Sequence, residues 1–329
     1  MYAISTLLSN YKQSRYRHTP AQNLRFILKN GRLVGTHYEE MDPVTGEVVK
    51  QTVYNCSKPY RNILAVRQDP LNSECGCVIL AKRHGEFWAL TGPRILNAQD
   101  PSIMVVDGQP ILTYNKYEMD SQKKITSVHQ YFCHLHSPDQ PFAIGQTGAK
   151  GGRLMRRIKG RIPVMGRKQN WSVMRGQLTY TEIDSLDELE DALKEAPIVQ
   201  ETTDNNSWVG ANELIQLGRN TENIGVFLHI AELNEEFLAK GVELKSYYAA
   251  VGIFNLAEQR MIEMEIILDA EDLPFTKYTK MDQLRNVIYP GGLVPDKKTP
   301  GVYTMYGGAN DFLCFRKKVS IDLLRQYML

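Results

Sequence analysis

Short apolar runs separated by turn residues make up most of the chain. Runs of about four to eight residues that are rich in β-branched and aromatic side chains predict β-strands. Asn30-Gly31, Asp107-Gly108, Lys159-Gly160 and Arg175-Gly176 supply turns between such runs. The predicted strands are Leu24–Leu28, Val48–Tyr54, Ile63–Val66, Cys77–Leu80, Ile103–Val106, Pro110–Tyr114, Ile125–Leu135, Arg153–Ile158, Arg161–Met165, Val226–Ala231, Tyr247–Phe254, Arg260–Leu268, Asn286–Tyr289 and Val302–Tyr306.

Helical patterns are few. Between Asp184 and Ala196, Leu186, Leu189 and Leu193 recur on one helical face, and acidic residues fill the first turn. This spacing predicts an amphipathic helix. Shorter helices are predicted at Ala3–Tyr11, Glu235–Lys240 and Ile321–Met328.

The order of these elements predicts the fold class. Strands and helices do not alternate, which disfavours a doubly wound sheet or a (β/α) barrel. Many short antiparallel strands are typical of sandwiches, barrels and propellers, and periodicity does not choose among them. No linker divides the chain, so we expect one all-β domain over residues 1–329. The helical insertion at about 184–196 is compatible with a lid, a dimer contact or a surface element without a function of its own. Because a dimer contact is one of these alternatives, the sequence allows a homo-oligomer.

The charge balance argues against partners that need a strongly basic protein. The 329 residues include 39 Lys and Arg against 37 Asp and Glu, a formal net charge of +2, so no global charge directs the chain to nucleic acid or a membrane. No apolar run approaches the ~20 residues of a membrane span. The five cysteines show no disulfide framework or zinc spacing, and the start is unlike a signal peptide. We expect a cytoplasmic protein without a metal.

The segment from Gln140 to Thr181 contains no acidic residue. The small residues Gly148–Gly152 would let Lys150 and backbone donors approach an anion, and arginine forks suit phosphate. Three interpretations stay open, namely a phosphate site, an RNA-binding stripe and a solvated basic edge strand. The nine cations of this segment are Lys150, Arg153, Arg156, Arg157, Lys159, Arg161, Arg167, Lys168 and Arg175.

Asp100 lies directly before Pro101 and ahead of the hairpin turn at Asp107-Gly108. The proline is expected to hold Asp100 in an extended conformation. A carboxyl group held at the mouth of a strand can act as a general acid. An ordinary turn-forming Asp-Pro pair is the alternative interpretation.

Four further residues are candidates for binding. His229 interrupts an apolar strand, which is typical of a hydrogen-bonded core histidine or of a donor to a phosphate or sugar oxygen in a dry site. His134 and His136 share a strand face, but no carboxylate stands at metal-ligand spacing. Asp311, after a Gly-rich turn, can accept from a sugar hydroxyl or close the turn.

An ordered set of short segments spans Tyr54 to Asp311. They are Tyr54-Asn55…Pro59, Arg67…Glu74, Gln99-Asp100-Pro101, Lys150…Arg153-Leu154, Gly210…Asn212-Glu213, His229-Ile-Ala231, Pro290-Gly-Gly-Leu293 and Tyr306…Asp311. In this order they resemble a mannosyltransferase/phosphorylase family, glycosyltransferase family 108, which is distantly similar to the β-mannoside phosphorylases of the five-bladed propeller glycosidase group. The chain departs from that family's usual Lys-Asp-Ile-Arg at Lys150-Gly-Gly-Arg153, and from its usual glycine at Leu228.

The resemblance implies a five-bladed β-propeller with a few short helical insertions and a central pocket. It implies inverting, reversible transfer of mannose between mannose 1-phosphate and β-1,2-manno-oligosaccharides, with inorganic phosphate as the other product and no cofactor. Asp100 would be the general acid and base. By the same resemblance, sugar would be bound by Asn55, Arg67, Glu74, Asn212, Tyr306 and Asp311, and phosphate by Lys150, Arg153 and His229 with Tyr247 or Tyr248.

One acid beside a cationic segment suits this chemistry. An inverting glycosidase needs a second carboxyl group to activate water, whereas phosphate is already an anionic nucleophile and needs cations to hold it. The alternatives are a catalytically silent carbohydrate- or phosphosugar-binding propeller, an RNA-binding protein and an inverting glycoside hydrolase.

Overall fold

The computed structural model describes residues 25–26, 28–29, 32–33, 37–41, 48–70, 76–84, 87–122, 125–145, 150–170, 175–200, 206–219, 221–234, 244–273, 286–310 and 313–328. The predicted helices Ala3–Tyr11 and Glu235–Lys240 lie outside these residues. The predicted sugar ligands Glu74 and Asp311 lie outside them as well.

Strands dominate the described part of the chain. In chain order they are β1 Arg25–Phe26, β2 Leu28–Lys29, β3 Arg32–Leu33, β4 His37–Met41, β5 Val48–Cys56, β6 Ile63–Pro70, β7 Cys77–His84, β8 Phe87–Leu96, β9 Ala98–Val106, β10 Gln109–Met119, β11 Ile125–His134, β12 Pro141–Ile144, β13 Lys150–Leu154, β14 Ile162–Asn170, β15 Arg175–Ile183, β16 Ile198–Gln200, β17 Ser207–Gln216, β18 Asn223–Leu233, β19 Lys245–Asn255, β20 Arg260–Leu268, β21 Asn286–Pro295, β22 Val302–Ala309 and β23 Leu313–Ser320. The all-β prediction is confirmed.

Consecutive strands pair antiparallel in five groups. The groups are β4–β8, β9–β12, β13–β16, β17–β20 and β21–β23, and β1 completes the last group by pairing with β23. The last two groups form one eight-stranded sheet, because β19 and β21 pair in parallel through Ser246 with Asn286 and Tyr247 with Val287. A two-stranded ribbon, β2–β3, lies apart. The sheets of the described residues thus do not by themselves show a closed ring of five blades.

The core lies between neighbouring groups. In β18, eight successive residues from Ile224 to Ala231 are buried, which is the pattern of a strand covered on both faces. Tyr180 of β15 packs against Phe254 of β19, with ring centroids 4.7 Å apart. A large cluster of buried apolar side chains therefore joins the third and fourth groups.

The helical prediction at Asp184–Ala196 is confirmed. Ser185 caps a 3₁₀ turn, Leu186–Glu188, by accepting from the Asp187 amide. Helix α1, Leu189–Glu195, follows and buries Leu189 and Leu193. Helix α2, Asp322–Gln326, lies within the predicted Ile321–Met328 segment. None of the helices in the described ranges has the length and hydropathy of a membrane-spanning segment.

The predicted strand Arg153–Ile158 is wrong at its end. Strand β13 stops at Leu154, and the chain then turns through Lys159 (φ 50°) and Gly160 (φ 86°). A strand continued to Ile158 would place Met155 and Arg157 on the same face, but Met155 is buried and Arg157 is exposed. Arg157 instead pairs with the turn residue Asp107, with 2.8 Å between Nε and Oδ2.

Candidate active site

One polar cavity of about 200 Å³ is lined by strands from all five antiparallel groups. The five groups meet at this cavity, since each group contributes at least one lining strand. The lining residues are Arg67, Gln99, Asp100, Asn115, Lys150, Gly151, Arg153, Arg167, Ala211, Asn212, His229, Tyr247, Val287 and Tyr289. The structure therefore brings together seven predicted site residues that are far apart in sequence, namely Asp100, Arg67, Asn212, Lys150, Arg153, His229 and Tyr247.

A pairing irregularity recurs in all five groups near this cavity. Strands β5, β13, β17 and β21 shift register at Tyr54, Gly151-Gly152, Asn212 and Gly291, and β9 shifts at Asp100-Pro101. A bulge places an extra residue in one strand and re-aims the neighbouring side chains. The bulges thus explain how polar side chains leave otherwise apolar strands and reach one cavity.

The backbone of Asp100 differs from the sequence prediction. Its φ is 55°, in the left-handed region, whereas the following proline predicted an extended conformation. Asp100 and Pro101 together oppose Tyr114, because Ser102 pairs with Thr113 and Gln99 with Asn115. The bulge overrides the local preference, and such sparsely populated backbone conformations cluster at active sites.

The Asp100 carboxylate is held by amides and faces a cation. Asn55 Nδ2 donates to Oδ1 at 3.4 Å and Asn115 Nδ2 donates to Oδ2 at 3.0 Å. Arg67 Nη1 lies 4.0 Å from Oδ1. The Asp100 side chain is 21% exposed, so a ligand in the cavity can reach it.

Three cations stand on the side of β13 and β14. Lys150 and Arg167 are direct cross-strand partners. Burial, and next the charge of Arg167, lower the pKa of Lys150 to about 8. Burial also lowers the pKa of Arg153, but a guanidinium stays charged. Arg153 is fixed by donating from Nε to the Asn212 carbonyl at 2.7 Å and from Nη1 to the Gly152 carbonyl at 2.9 Å.

His229 is bonded through both ring nitrogens. Its Nδ1 lies 2.7 Å from Asn212 Oδ1, and its Nε2 lies 2.9 Å from Arg167 Nη1. The Asn212 amide is oriented by donating from Nδ2 to the Pro290 carbonyl at 2.8 Å. Burial, followed by the charges of Arg167 and Arg153, lowers the pKa of His229 well below its ordinary value. The imidazole is therefore neutral at physiological pH.

The His229 ring occupies space that a side chain at Gly210 would fill. A Cβ at Gly210 would lie 2.4 Å from His229 Cε1 and 2.8 Å from Nε2, and 3.2 Å from Arg167 Nη1. Gly210 and His229 are direct cross-strand partners. His229 can therefore keep its contacts to Asn212 and Arg167 only because residue 210 has no side chain.

Aromatic rings close another part of the cavity. The Tyr247 ring lies 5.8 Å from the His229 ring and meets Trp208 edge-on at 5.6 Å. Burial, and next the charge of Asp100, raise the pKa of Tyr289. Tyr289 is therefore a neutral hydroxyl beside the carboxylate.

Residues 38–322 match the family described as "Protein of unknown function (DUF1861)", which is most of the chain. The chain belongs to the DUF1861 family. No curated protein matches this DUF1861 chain. The match and the structures below confirm the relationship that the ordered segments predict.

Solved structures share the fold of this DUF1861 chain at low sequence identity. MPT-1, a GDP-Man-dependent mannosyltransferase from Leishmania mexicana, is 19% identical with a TM-score of 0.75, covering 95% of this chain and 94% of its own. MPT-4, a mannose phosphorylase from Leishmania mexicana in complex with phosphate ion, is 18% identical with a TM-score of 0.75, covering 98% and 94%. The β-1,2-mannobiose phosphorylase from Listeria innocua is 10% identical with a TM-score of 0.52, covering 95% of each chain.

Some predicted residues of the DUF1861 chain do not line the cavity. Asn55 reaches it indirectly, through its bond to Asp100. The Tyr248 hydroxyl donates to Glu232 Oε1 at 2.7 Å while the ring packs in the core. Tyr306 packs in a core cluster with Trp88. His134 stacks on His136 with centroids 5.5 Å apart, and the described residues contain no cluster of three or more His, Cys, Asp or Glu placed to hold a metal.

Seven lining residues of the DUF1861 chain were not predicted as site residues, and Arg167, Asn115 and Tyr289 are among them. Arg167 belongs to the acid-free segment, but nothing in the sequence separates it from the eight other cations there. Asn115 falls one residue beyond a predicted strand that in fact continues to Met119. Tyr289 stands beside the Pro290-Gly-Gly-Leu293 segment, and that neighbourhood is the signal that could have found it.

Proposed function

We propose that this protein is an inverting β-1,2-mannoside phosphorylase and mannosyltransferase that moves mannose between mannose 1-phosphate and β-1,2-manno-oligosaccharides. One observation carries the proposal: Asp100 lines one small cavity together with Arg67, Lys150, Arg153 and Arg167. Among the lining residues that the structure describes, Asp100 is the one carboxylate. This composition favours phosphate over water as the second substrate, because water needs a second carboxyl group to activate it.

The residues suit both directions of the reaction. In synthesis, an acceptor hydroxyl oxygen attacks C1 of mannose 1-phosphate, the bond from C1 to the phosphate oxygen breaks, and Asp100 takes the hydroxyl proton. In phosphorolysis, a phosphate oxygen attacks C1, the glycosidic bond breaks, and protonated Asp100 gives its proton to the leaving sugar oxygen. Fixed cations around the phosphate stabilise its charge in both directions.

The ligand sites follow the two charged sides of the cavity. We assign phosphate to Lys150, Arg153 and Arg167, with the Tyr247 ring beside them. We assign the mannosyl ring to the side of Asp100, where Arg67 stands and Asn55 and Asn115 hold the carboxylate. Arg67 and Asp100 are close enough for one sugar to bridge them.

We further propose that the five antiparallel groups are the blades of a five-bladed propeller. Three observations support this: every group lines the same cavity, every group carries a bulge there, and β1 completes the group that β23 ends. A ring closed by pairing the beginning and end of the chain leaves few exposed edges. A crystal structure that shows open, unringed sheets would contradict this arrangement.

The test is phosphate release on mixing the purified protein with mannose 1-phosphate and β-1,2-mannobiose, for the wild type and for Asp100→Asn. We expect release by the wild type and a loss of roughly 10²- to 10⁴-fold in the variant, the range for removing a general acid or base. Asp107→Asn is the matched control, because Asp107 also has a positive φ, 49° against 55° for Asp100. It lies at the distal turn, paired with Arg157.

The outcomes separate the candidate functions. Undiminished release by Asp100→Asn would overturn the assignment of the acid. Phosphate and mannoside binding without turnover by a folded wild type would favour the silent phosphosugar-binding protein. Release of phosphate that needs no acceptor would indicate hydrolysis.

A further inference from the structure

The cavity contains a hydrogen-bonded series that runs from the backbone to a cation. Pro290 O accepts from the Asn212 amide, Asn212 Oδ1 contacts His229 Nδ1, and His229 Nε2 contacts Arg167 Nη1. All three contacts are 2.9 Å or shorter. Asn212 and His229 come from β17 and β18 of one group, whereas Arg167 comes from β14 of another.

The chemistry of the partners sets where the protons lie. A guanidinium has no acceptor, so Arg167 Nη1 donates and His229 Nε2 accepts. The single proton of the neutral imidazole is then on Nδ1, where it is donated to Asn212 Oδ1. Because Asn212 Nδ2 donates to a carbonyl, its Oδ1 is the atom left to receive that proton. Each bond in the series thus fixes the direction of the next.

This arrangement leaves His229 without a ring N–H for an anion, while Arg167 keeps several. Arg167 uses one N–H of Nη1 for His229, and its Nε is buried with no hydrogen-bond partner among the described residues. The backbone leaves room for this side chain, since a Cβ at Gly176 would lie 2.1 Å from Arg167 Cδ. Lys150 stands directly across from it on β13.

We propose that His229 is a positioning residue that aims the Arg167 guanidinium at phosphate, and that Arg167 rather than His229 contacts the phosphate. The inference rests on the proposed phosphate site and deepens it. It replaces the role of phosphate ligand that the family resemblance implied for His229. Asn212 fixes the tautomer of His229 and thereby makes Nε2 an acceptor.

The test is a double-mutant cycle read by calorimetric titration with inorganic phosphate. The cycle uses the full-length wild type, Arg167→Met, His229→Asn and the double variant. We expect Arg167→Met to weaken phosphate binding by roughly 10- to 100-fold, as for loss of hydrogen bonds to a charged group. His229→Asn keeps a donor toward Asn212 but removes the acceptor, and we expect a loss of several-fold. In the double variant the loss should equal that of Arg167→Met, because the effect of His229 passes through Arg167.

Rescue by the conservative substitution supplies a second readout. The glutamine oxygen of His229→Gln can reach the position of Nε2 and accept from Arg167, so we expect phosphate affinity within about threefold of the wild type. A purely structural role of His229 would not distinguish the two amides in this way. Thermal unfolding of each variant checks that the comparison is made on folded protein.

The outcomes also separate this inference from the function on which it rests. Losses that multiply in the double variant would overturn the positioning role, because His229 would then act on phosphate independently of Arg167. Equal weakening by His229→Asn and His229→Gln would overturn it too. A wild type that does not bind phosphate at all would overturn the phosphate site itself, and with it the proposed function.

Discussion

Gly210→Ala tests the packing of the candidate site by adding one methyl group. The new Cβ would lie 2.4 Å from His229 Cε1, against about 3.4 Å for the onset of ordinary contact. The ring must therefore retreat by about 1 Å, and Arg167, bonded to its Nε2, must follow. A displacement of about 1 Å in a positioned catalytic site costs on the order of 100-fold in rate, which corresponds to about 2.7 kcal/mol.

The assay is kcat/KM for phosphate release from mannose 1-phosphate with β-1,2-mannobiose as acceptor, together with thermal unfolding. We expect Gly210→Ala to lose roughly 100-fold in kcat/KM, while overpacking lowers the unfolding free energy by about 1–3 kcal/mol. The loss in activity should thus exceed what the fraction of folded protein explains.

Gly225→Ala is the control in the neighbouring strand of the same sheet. Its Cβ would lie 2.9 Å from Leu324 Cδ2 and 3.2 Å from Ile215 Cβ, so it also overpacks, but away from the cavity. We expect a similar loss of stability with activity per folded molecule unchanged. Wild-type kcat/KM in folded Gly210→Ala, or an equal loss in Gly225→Ala, would refute the reasoning.

Two further predictions concern charged groups. Because the pKa of Lys150 is lowered to about 8, its ammonium is charged below that pH and neutral above it. Phosphate affinity, measured by calorimetry, should therefore fall as the pH rises through about 8. The affinity of Lys150→Arg should depend less on pH, since a guanidinium stays charged. Unchanged affinity up to pH 10 would contradict this. Lys58→Met removes the ion-pair partner of Glu213, whose Oε2 also accepts from the Leu293 amide at 2.7 Å. Denaturant unfolding should show that the unfolding free energy falls by about 1–3 kcal/mol, because a buried charged group is left unsatisfied. An unaltered unfolding free energy would show that the pair contributes nothing.

The departure at Lys150-Gly-Gly-Arg153 has a local physical reason. Gly151 has a φ of 67°, a conformation that disfavours other residues. A Cβ at Gly152 would lie 2.7 Å from Phe132 Cζ and 2.9 Å from Gln130 Oε1. Gln130 also bonds the Gly152 amide through Oε1 at 2.6 Å. The bulge in β13 is thus packed against β11, and Arg153 is held by the Asn212 and Gly152 carbonyls rather than by a side chain at position 151.

The amino-acid sequence by itself determined the fold class and the chemical inventory. Short apolar runs and turn residues mark the strands, the leucine spacing marks the helix at Leu189–Glu195, and the acid-free segment marks where cations gather. Asp100 and His229 stand out because each is a polar residue in an unusual local setting. These signals are local, and a single sequence therefore carries them.

The tertiary structure alone decided which of these residues meet. Asp100 and Arg167 are far apart in sequence and lie on different groups of strands, so no local pattern relates them. The bulges also decided which face of a strand each side chain takes, because a one-residue change of register turns a side chain to the other face. At Asp100 the bulge holds the backbone at a positive φ, although the following Pro101 favours an extended conformation. Hydrogen-bond direction likewise depends on contacts across strands, which is why His229 was predicted as a ligand of phosphate and is inferred from the structure to position Arg167.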